Sequence, residues 1–140
     1  MDRAMDIADY IVNKCSEDGE PISNLQLQKI LYFIQRDSLR KTGKPAFAES
    51  VEAWQFGPVV PGVYYSFAHW GGSPIVPHRP KKPEIEDRER VDEIVDAERG
   101  KSVWDLVRLT HRPDGAWSQI YGKGEGRGHA IPTELIRDAG

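Results

Sequence analysis

Ser23-Asn24-Leu25-Gln26-Leu27-Gln28-Lys29-Ile30-Leu31-Tyr32-Phe33-Ile34 is the stretch whose reading decides the fold. Ser23 and Gln26 stand at the spacing of a capping box, in which the two side chains satisfy N–H groups left free by the first turn of a helix. Leu27, Ile30, Leu31, Phe33 and Ile34 then leave little polar face, which predicts a central helix packed on more than one side. Thr42-Gly43-Lys44-Pro45 ends it, glycine first and proline after, the order in which helices stop. The expected fold is mainly α: a single compact domain over residues 1–140, of about six to seven helices with at most a small antiparallel β element.

On the N-terminal side, Ala4, Ile7, Ala8, Ile11, Val12 and Cys15 recur at spacings of three and four, the stripe of an amphipathic helix. Asp6, Asp9, Asn13 and Lys14 take its other face, and Glu17-Asp18-Gly19 closes it. Cys15 lies on the stripe and reads as packing, not as a nucleophile.

On the C-terminal side, Val51–Phe56 is rich in strand formers and Gly57-Pro58 stops it, so a short strand or extended arm is expected there. Residues near His129–Ile131 are the expected partner. A third helix starts near Pro61, where a missing N–H costs nothing, and runs to about Trp70, burying Val63, Tyr64 and Phe67. Pro74, Pro77, Pro80 and Pro83 recur every third residue, the spacing of a polyproline turn. The segment 73–83 is therefore expected to be a stiff connector with His78, Arg79, Lys81 and Lys82 in solvent.

Glu84–Arg99 holds eight acidic residues against three arginines, with only Ile85, Val91, Ile94 and Val95 as an apolar seam. A surface helix is expected. Ser102 can cap a short helix that runs through His111 and buries Val103, Leu106, Val107 and Trp104. His111 is read as bonding that helix's last carbonyls. Asp114–Tyr121 reads as one or two further turns. Residues 122–130 form a glycine-rich surface loop, and a last helix takes Pro132 as its first residue.

The composition narrows function. With 19 basic and 22 acidic side chains the formal charge is −3, not the basic field of a dedicated nucleic-acid binder. A single cysteine excludes an intrachain disulfide and a four-cysteine zinc site. No apolar run approaches the roughly 20 residues needed to span a bilayer. The first residues lack a basic stretch followed by an apolar block, so no signal peptide is expected, and a reducing cytoplasmic setting fits.

Catalytic patterns fail on spacing. Gly122-Lys123-Gly124-Glu125-Gly126-Arg127-Gly128 has no Ser or Thr after a Lys at its end, and Arg127 stands where a dinucleotide fingerprint needs glycine. His69, His78, His111 and His129 form no metal-binding pair at helical spacing, and nothing marks a nucleophile beside a base. No enzyme activity, metal or cofactor is expected. Arg36, Arg40, Lys41 and Lys44 cluster at the end of the central helix, where they favour its dipole or form a small patch for an anionic partner. No helix-turn-helix pattern accompanies them.

Three segments resemble the Panacea domain, a family of antitoxins. Ile22-Ser23-Asn24-Leu25-Gln26-Leu27-Gln28-Lys29-Ile30-Leu31-Tyr32-Phe33 is similar to the family's Leu-x-Lys-Leu-Leu-Tyr-Phe helix. Val51-Glu52-Ala53-Trp54-Gln55-Phe56-Gly57-Pro58-Val59-Val60-Pro61, continuing to Val63-Tyr64, follows the family pattern throughout. Leu109-Thr110-His111, Ala116-Trp117 and Ile131-Pro132 with Glu134-Leu135-Ile136 make the third. The resemblance implies a mostly helical domain that neutralises a toxin by binding it. It also implies a partner encoded by the adjacent gene, often in a prophage. An alternative within the family is an adaptor that delivers its toxin to a protease; a DNA-binding regulator is a further alternative.

Residues 73–99 fit the family poorly and are expected to influence partner choice. No appended DNA-binding or toxin-recognising domain is expected, so a partner is expected to dock on the core domain itself. The candidate partner-binding residues are Trp54, Tyr64, Arg36, Arg40, Glu93 and Trp117. Trp54, Gly57, Pro58 and Tyr64 are types that hold a turn and a core together; at a surface the same Trp and Tyr are binding hot spots.

Overall fold

In the computed structural model, which describes residues 1–140, the capping box closes as the spacing predicts. Ser23 Oγ accepts the Gln26 amide at 3.4 Å and Gln26 Oε1 accepts the Ser23 amide at 2.9 Å. The helix it opens, α2 (Asn24–Thr42), ends at Gly43, whose φ of +74° suits a residue without Cβ. The other helices are α1 (Ala4–Glu17), α3 (Pro61–Phe67), α4 (Arg88–Glu98), α5 (Val103–Thr110), α6 (Ala116–Tyr121) and α7 (Thr133–Ala139). A 3₁₀ turn, Ala68–Trp70, follows α3. All of them but α6 pack on α2. The fold is thus a helical shell around one axial helix, with a 29-residue apolar core.

Being central, α2 must bury polar side chains as well, and each of these has a task. Gln35 is 1% exposed; its Oε1 accepts the amides of Ala46 and Phe47, and its Nε2 donates to Phe47 O at 2.9 Å. Gln28 accepts the Val60 amide at 2.9 Å and donates to Asn24 Oδ1, while Asn24 donates to Tyr64 O at 3.0 Å. These side chains hold the two chain segments that return across α2. Gln35→Leu leaves three backbone groups unpaired, and is expected to cost about 4 kcal/mol in urea unfolding, at ~1–2 kcal/mol per group.

The β element differs from the expectation. Gly57-Pro58 does not end it; it begins a second strand. β1 (Glu52–Trp54) pairs antiparallel with β2 (Gly57–Val59), with Glu52 opposite Val59 and Trp54 opposite Gly57. Proline can enter this strand because its edge position asks no ladder bond of its missing N–H. The expected partner is present on the other edge of β1: Ala53 N–H donates to His129 O, and Gly128 N–H to Ala53 O.

Other corrections concern the loops and the helix ends. The glycine-rich stretch is folded on itself, with the Gly124 and Gly126 amides both bonded to Tyr121 O. Gly126 is buried, and a Cβ there would run into the carbonyl of Ile120. Trp104 is 58% exposed and Tyr64 half-buried, while Val63 and Phe67 are buried. Pro132 is the residue before α7, not its first. The segment 73–87 is strapped to the body. Ile75 is buried and donates to Ile22 O, and Arg79 pairs with Asp6 and Asp9 instead of standing free.

Candidate functional site

The hairpin and the helices beside it carry an aromatic surface. Trp54 and Phe56 come from the hairpin, Tyr64 and Tyr65 from α3, and Trp104 from the first turn of α5. Tyr64 and Tyr65 are chain neighbours on a helix, so they point about 100° apart and one of them must face outward. Tyr65 is 66% exposed and Phe56 43%. Trp54 meets Tyr64 edge to face at 5.0 Å and Phe56 meets Trp104 edge to face at 5.9 Å, while Trp54 and Tyr65 are tilted against each other at 5.8 Å. Such pairing holds each ring in a defined place. Between Tyr64 and Trp104 lies an uncharged cavity of about 320 Å³ over Leu25 and Ala68.

A buried layer supports this surface from below. Trp117 is 7% exposed and its Nε1 donates to Trp54 O at 2.7 Å. One face of its indole stacks on His111 at 3.6 Å and the other on Tyr121 at 4.5 Å. The Thr110 hydroxyl donates to Val107 O. The His111 backbone N–H bonds to Val107 O and Arg108 O and so ends α5. The expected capping by the His111 imidazole is not found. Its Nε2 is buried without a partner, because stacking on Trp117 turns the ring inward. Burial, and then the nearby Lys29 charge, lowers the His111 pKa.

Lys29 is the group the sequence reading passed over. It is 1% exposed, its Nζ donates to Pro58 O at 3.2 Å, and it forms no ion pair with a carboxylate. Burial pushes its pKa down to about 7. The signal was available: a lysine inside the run Leu27–Ile34, which leaves no broad polar face to receive it. Gly57 passes directly over this lysine, with a φ of +115°. A Cβ at Gly57 would come within 2.7 Å of Lys29 Cε and 2.8 Å of Thr110 Oγ1.

The structure thus brings together Trp54, Tyr64 and Trp117 from the candidate residues. Arg36 and Arg40 lie at the other end of α2. The Arg36 guanidinium covers the Phe33 ring at 4.7 Å, and Arg40 donates to Arg137 O and Gly140 O at 2.8 and 2.9 Å. Glu93 is exposed on α4, apart from both. Tyr65, Phe56 and Trp104 were not singled out from the sequence.

No three His, Cys, Asp or Glu side chains are placed to hold a metal ion. No helix is long and apolar enough to cross a membrane. Burial raises the pKa of the Cys15 thiol, in keeping with packing.

Comparison with known proteins adds independent evidence. Residues 27–118 match the family described as antitoxin SocA-like, Panacea domain. The chain is 32% identical to Antitoxin SocA of Caulobacter vibrioides, in an alignment covering 94% of this chain and 79% of that protein. No solved structure matches the chain.

Proposed function

Because this chain belongs to the SocA-like Panacea-domain antitoxin family, we propose that it neutralises a protein toxin by direct binding, with the aromatic surface of the hairpin, α3 and α5 as the docking site. The observation that carries the reading is the joint exposure of Tyr65, Trp104 and Phe56 over a rigid, buried support. Large rings left in water cost hydrophobic free energy. Gathered at one place they have the composition of an interface hot spot. The toxin is proposed to be the product of the adjacent gene, with the pair carried by a prophage, in the cytoplasm. The reading asks no catalysis, metal or cofactor of the chain. Delivery of the toxin to a protease would share the same first step, capture, and differ only in the toxin's fate.

The test is co-expression with the adjacent gene product, scored by growth and by co-purification. Tyr65→Ala, Trp104→Ala and Phe56→Ala remove exposed rings and leave the core intact. Each is expected to weaken the complex by about 30-fold, the size of a hot-spot contact of ~2 kcal/mol. The triple variant is expected to lose protection while melting within about 3 °C of the parent. A triple variant that still protects and co-purifies rules out this surface. A neighbour that is toxic alone, remains toxic beside the unaltered protein, and fails to co-purify rules out the antitoxin reading itself. Toxin abundance separates the two fates: it is maintained in a simple inhibitory complex and falls on delivery to a protease.

A further inference from the structure

We propose that the outer face of α1 is a docking track for an extended basic segment of the partner protein, which the free protein keeps filled with its own strap, His78-Arg79-Pro80-Lys81-Lys82. The inference rests on the direct-complex reading only for the identity of the partner.

The strap lies on the face of α1 that its apolar stripe leaves outward. Arg79 Nη1 bridges Asp6 at 3.0 Å and Asp9 at 3.3 Å, one helical turn apart. Lys82 Nζ reaches Glu17 at 3.0 Å and stands 5.5 Å over the Tyr10 ring. His78 stacks on Phe67 at 4.8 Å. The strap therefore engages the body as a bound peptide does, with cations in acidic positions and an imidazole on a ring. Next to Lys82 a cavity of about 600 Å³, lined by Tyr10 and residues 83–89, continues the track toward α4.

The grip is reversible by construction. Arg79 and Lys82 remain 45% and 36% exposed, so the pairs with Asp6 and Glu17 are weak and screened by salt, and the pair with Asp9, whose side chain is 7% exposed, is screened least. Ile75, buried and bonded to Ile22 O, anchors the chain just before the strap, so residues 76–83 stay tethered when they lift, at the cost of uncovering the Phe67 ring under His78. A tethered segment acts at an effective concentration in the millimolar range. A competing basic segment must therefore belong to a partner anchored elsewhere, and the aromatic surface supplies that anchor. Charge complementarity selects the occupant: Asp6, Asp9 and Glu17 accept Arg or Lys and repel an acidic chain.

Two measurements on the whole chain test this. Trypsin avoids bonds that precede proline, so Lys81–Lys82 is the cleavable bond within the strap. Its cleavage, relative to a free peptide of residues 76–83, is expected to accelerate about tenfold between roughly 50 and 500 mM salt. The Asp6→Asn/Asp9→Asn/Glu17→Gln variant is expected to be cut fast at both. A wild-type rate indifferent to salt overturns the proposal even where that variant fails to fold. In the second, the same peptide is titrated into the Arg79→Ser/Lys82→Ser chain. Saturable binding at millimolar peptide is expected, weakened by salt and abolished by the α1 substitutions. No binding, or binding that survives those substitutions, overturns the track. Neither measurement uses the toxin, so a negative result here leaves the aromatic docking surface to stand or fall on its own test.

Discussion

Lys29→Met is expected to make the protein more stable by about 3 kcal/mol below pH 7, with the gain fading as the pH rises toward 10. Moving the Lys29 pKa from 10.5 to about 7 corresponds to a cost of about 5 kcal/mol for the charged form, at 1.36 kcal/mol per unit. Methionine fills a similar volume without the charge. Against the gain stands Pro58 O, which loses the Lys29 donor, at about 1–2 kcal/mol. The sign of the pH dependence follows from the direction of the shift. The folded chain releases the lysine proton near pH 7 and the unfolded chain near 10.5, so unfolding takes up a proton in between. Wild-type stability therefore bears the full cost below about pH 7 and recovers it as the pH rises through that window. Urea unfolding of both proteins at pH 6, 8 and 10 checks this. Parallel pH profiles, or a methionine variant less stable at pH 6, would show that the lysine is paired or solvated in a way the structure does not contain.

Gly57→Ala is expected to destabilise by about 4 kcal/mol, lowering the melting temperature by more than about 10 °C. Two penalties combine. A φ of +115° is outside what an L side chain adopts without strain. The added methyl also meets Lys29 Cε at 2.7 Å and Thr110 Oγ1 at 2.8 Å, atoms held in a packed layer. The penalties are separable. Shortening the neighbour by Lys29→Ala makes room for the methyl but leaves the backbone strain. The pair is expected to be less destabilised than the sum of its members, by about 1 kcal/mol or more. Gly57→Ala within about 0.5 kcal/mol of the parent would contradict the close approach.

These two positions also belong to one cluster that joins the three segments of the family pattern. Lys29, Trp54, Gly57, Pro58, Thr110, His111 and Trp117 come from three separate segments and form one layered cluster. Lysine lies at its base under the glycine, and Trp117 bonds the carbonyl of Trp54. The resemblance pointed to the segments but said nothing of why a buried lysine belongs in the first of them. The cluster gives the reason for the glycine and the tryptophan; the lysine remains an energetic cost with no compensating acid.

Much of the helical framework was legible because it follows from local chemistry. Ala4, Ile7, Ala8, Ile11, Val12 and Cys15 are all buried, as a stripe at three- and four-residue spacing must be once one face finds a core. The capping box at Ser23, the stop at Gly43 and the N-cap at Ser102 depend on residues within a turn of one another, and α4 lies at the surface with Val91 and Val95 inward. The same stripe could not foresee that Asp9 and Asn13 on its polar side are also buried, since the strap that helps cover this face is some 70 residues away in the chain.

The helices, the caps at Ser23, Gly43 and Ser102, and the place of a small β element were thus readable along the chain, because periodicity and capping are settled among near neighbours. Which surfaces meet was decided only by the tertiary structure. Gly57-Pro58 reads locally as a break and becomes a strand because β1 lies opposite it. Lys29 reads as a charged residue on a helix and becomes a core residue because β2 closes over it. Phe56, Tyr65 and Trp104 read as three unrelated apolar residues. They become one candidate surface because the fold sets the hairpin, α3 and the first turn of α5 side by side, with Trp54 against Tyr65, Phe56 against Trp104, and Tyr64 and Trp104 lining one cavity.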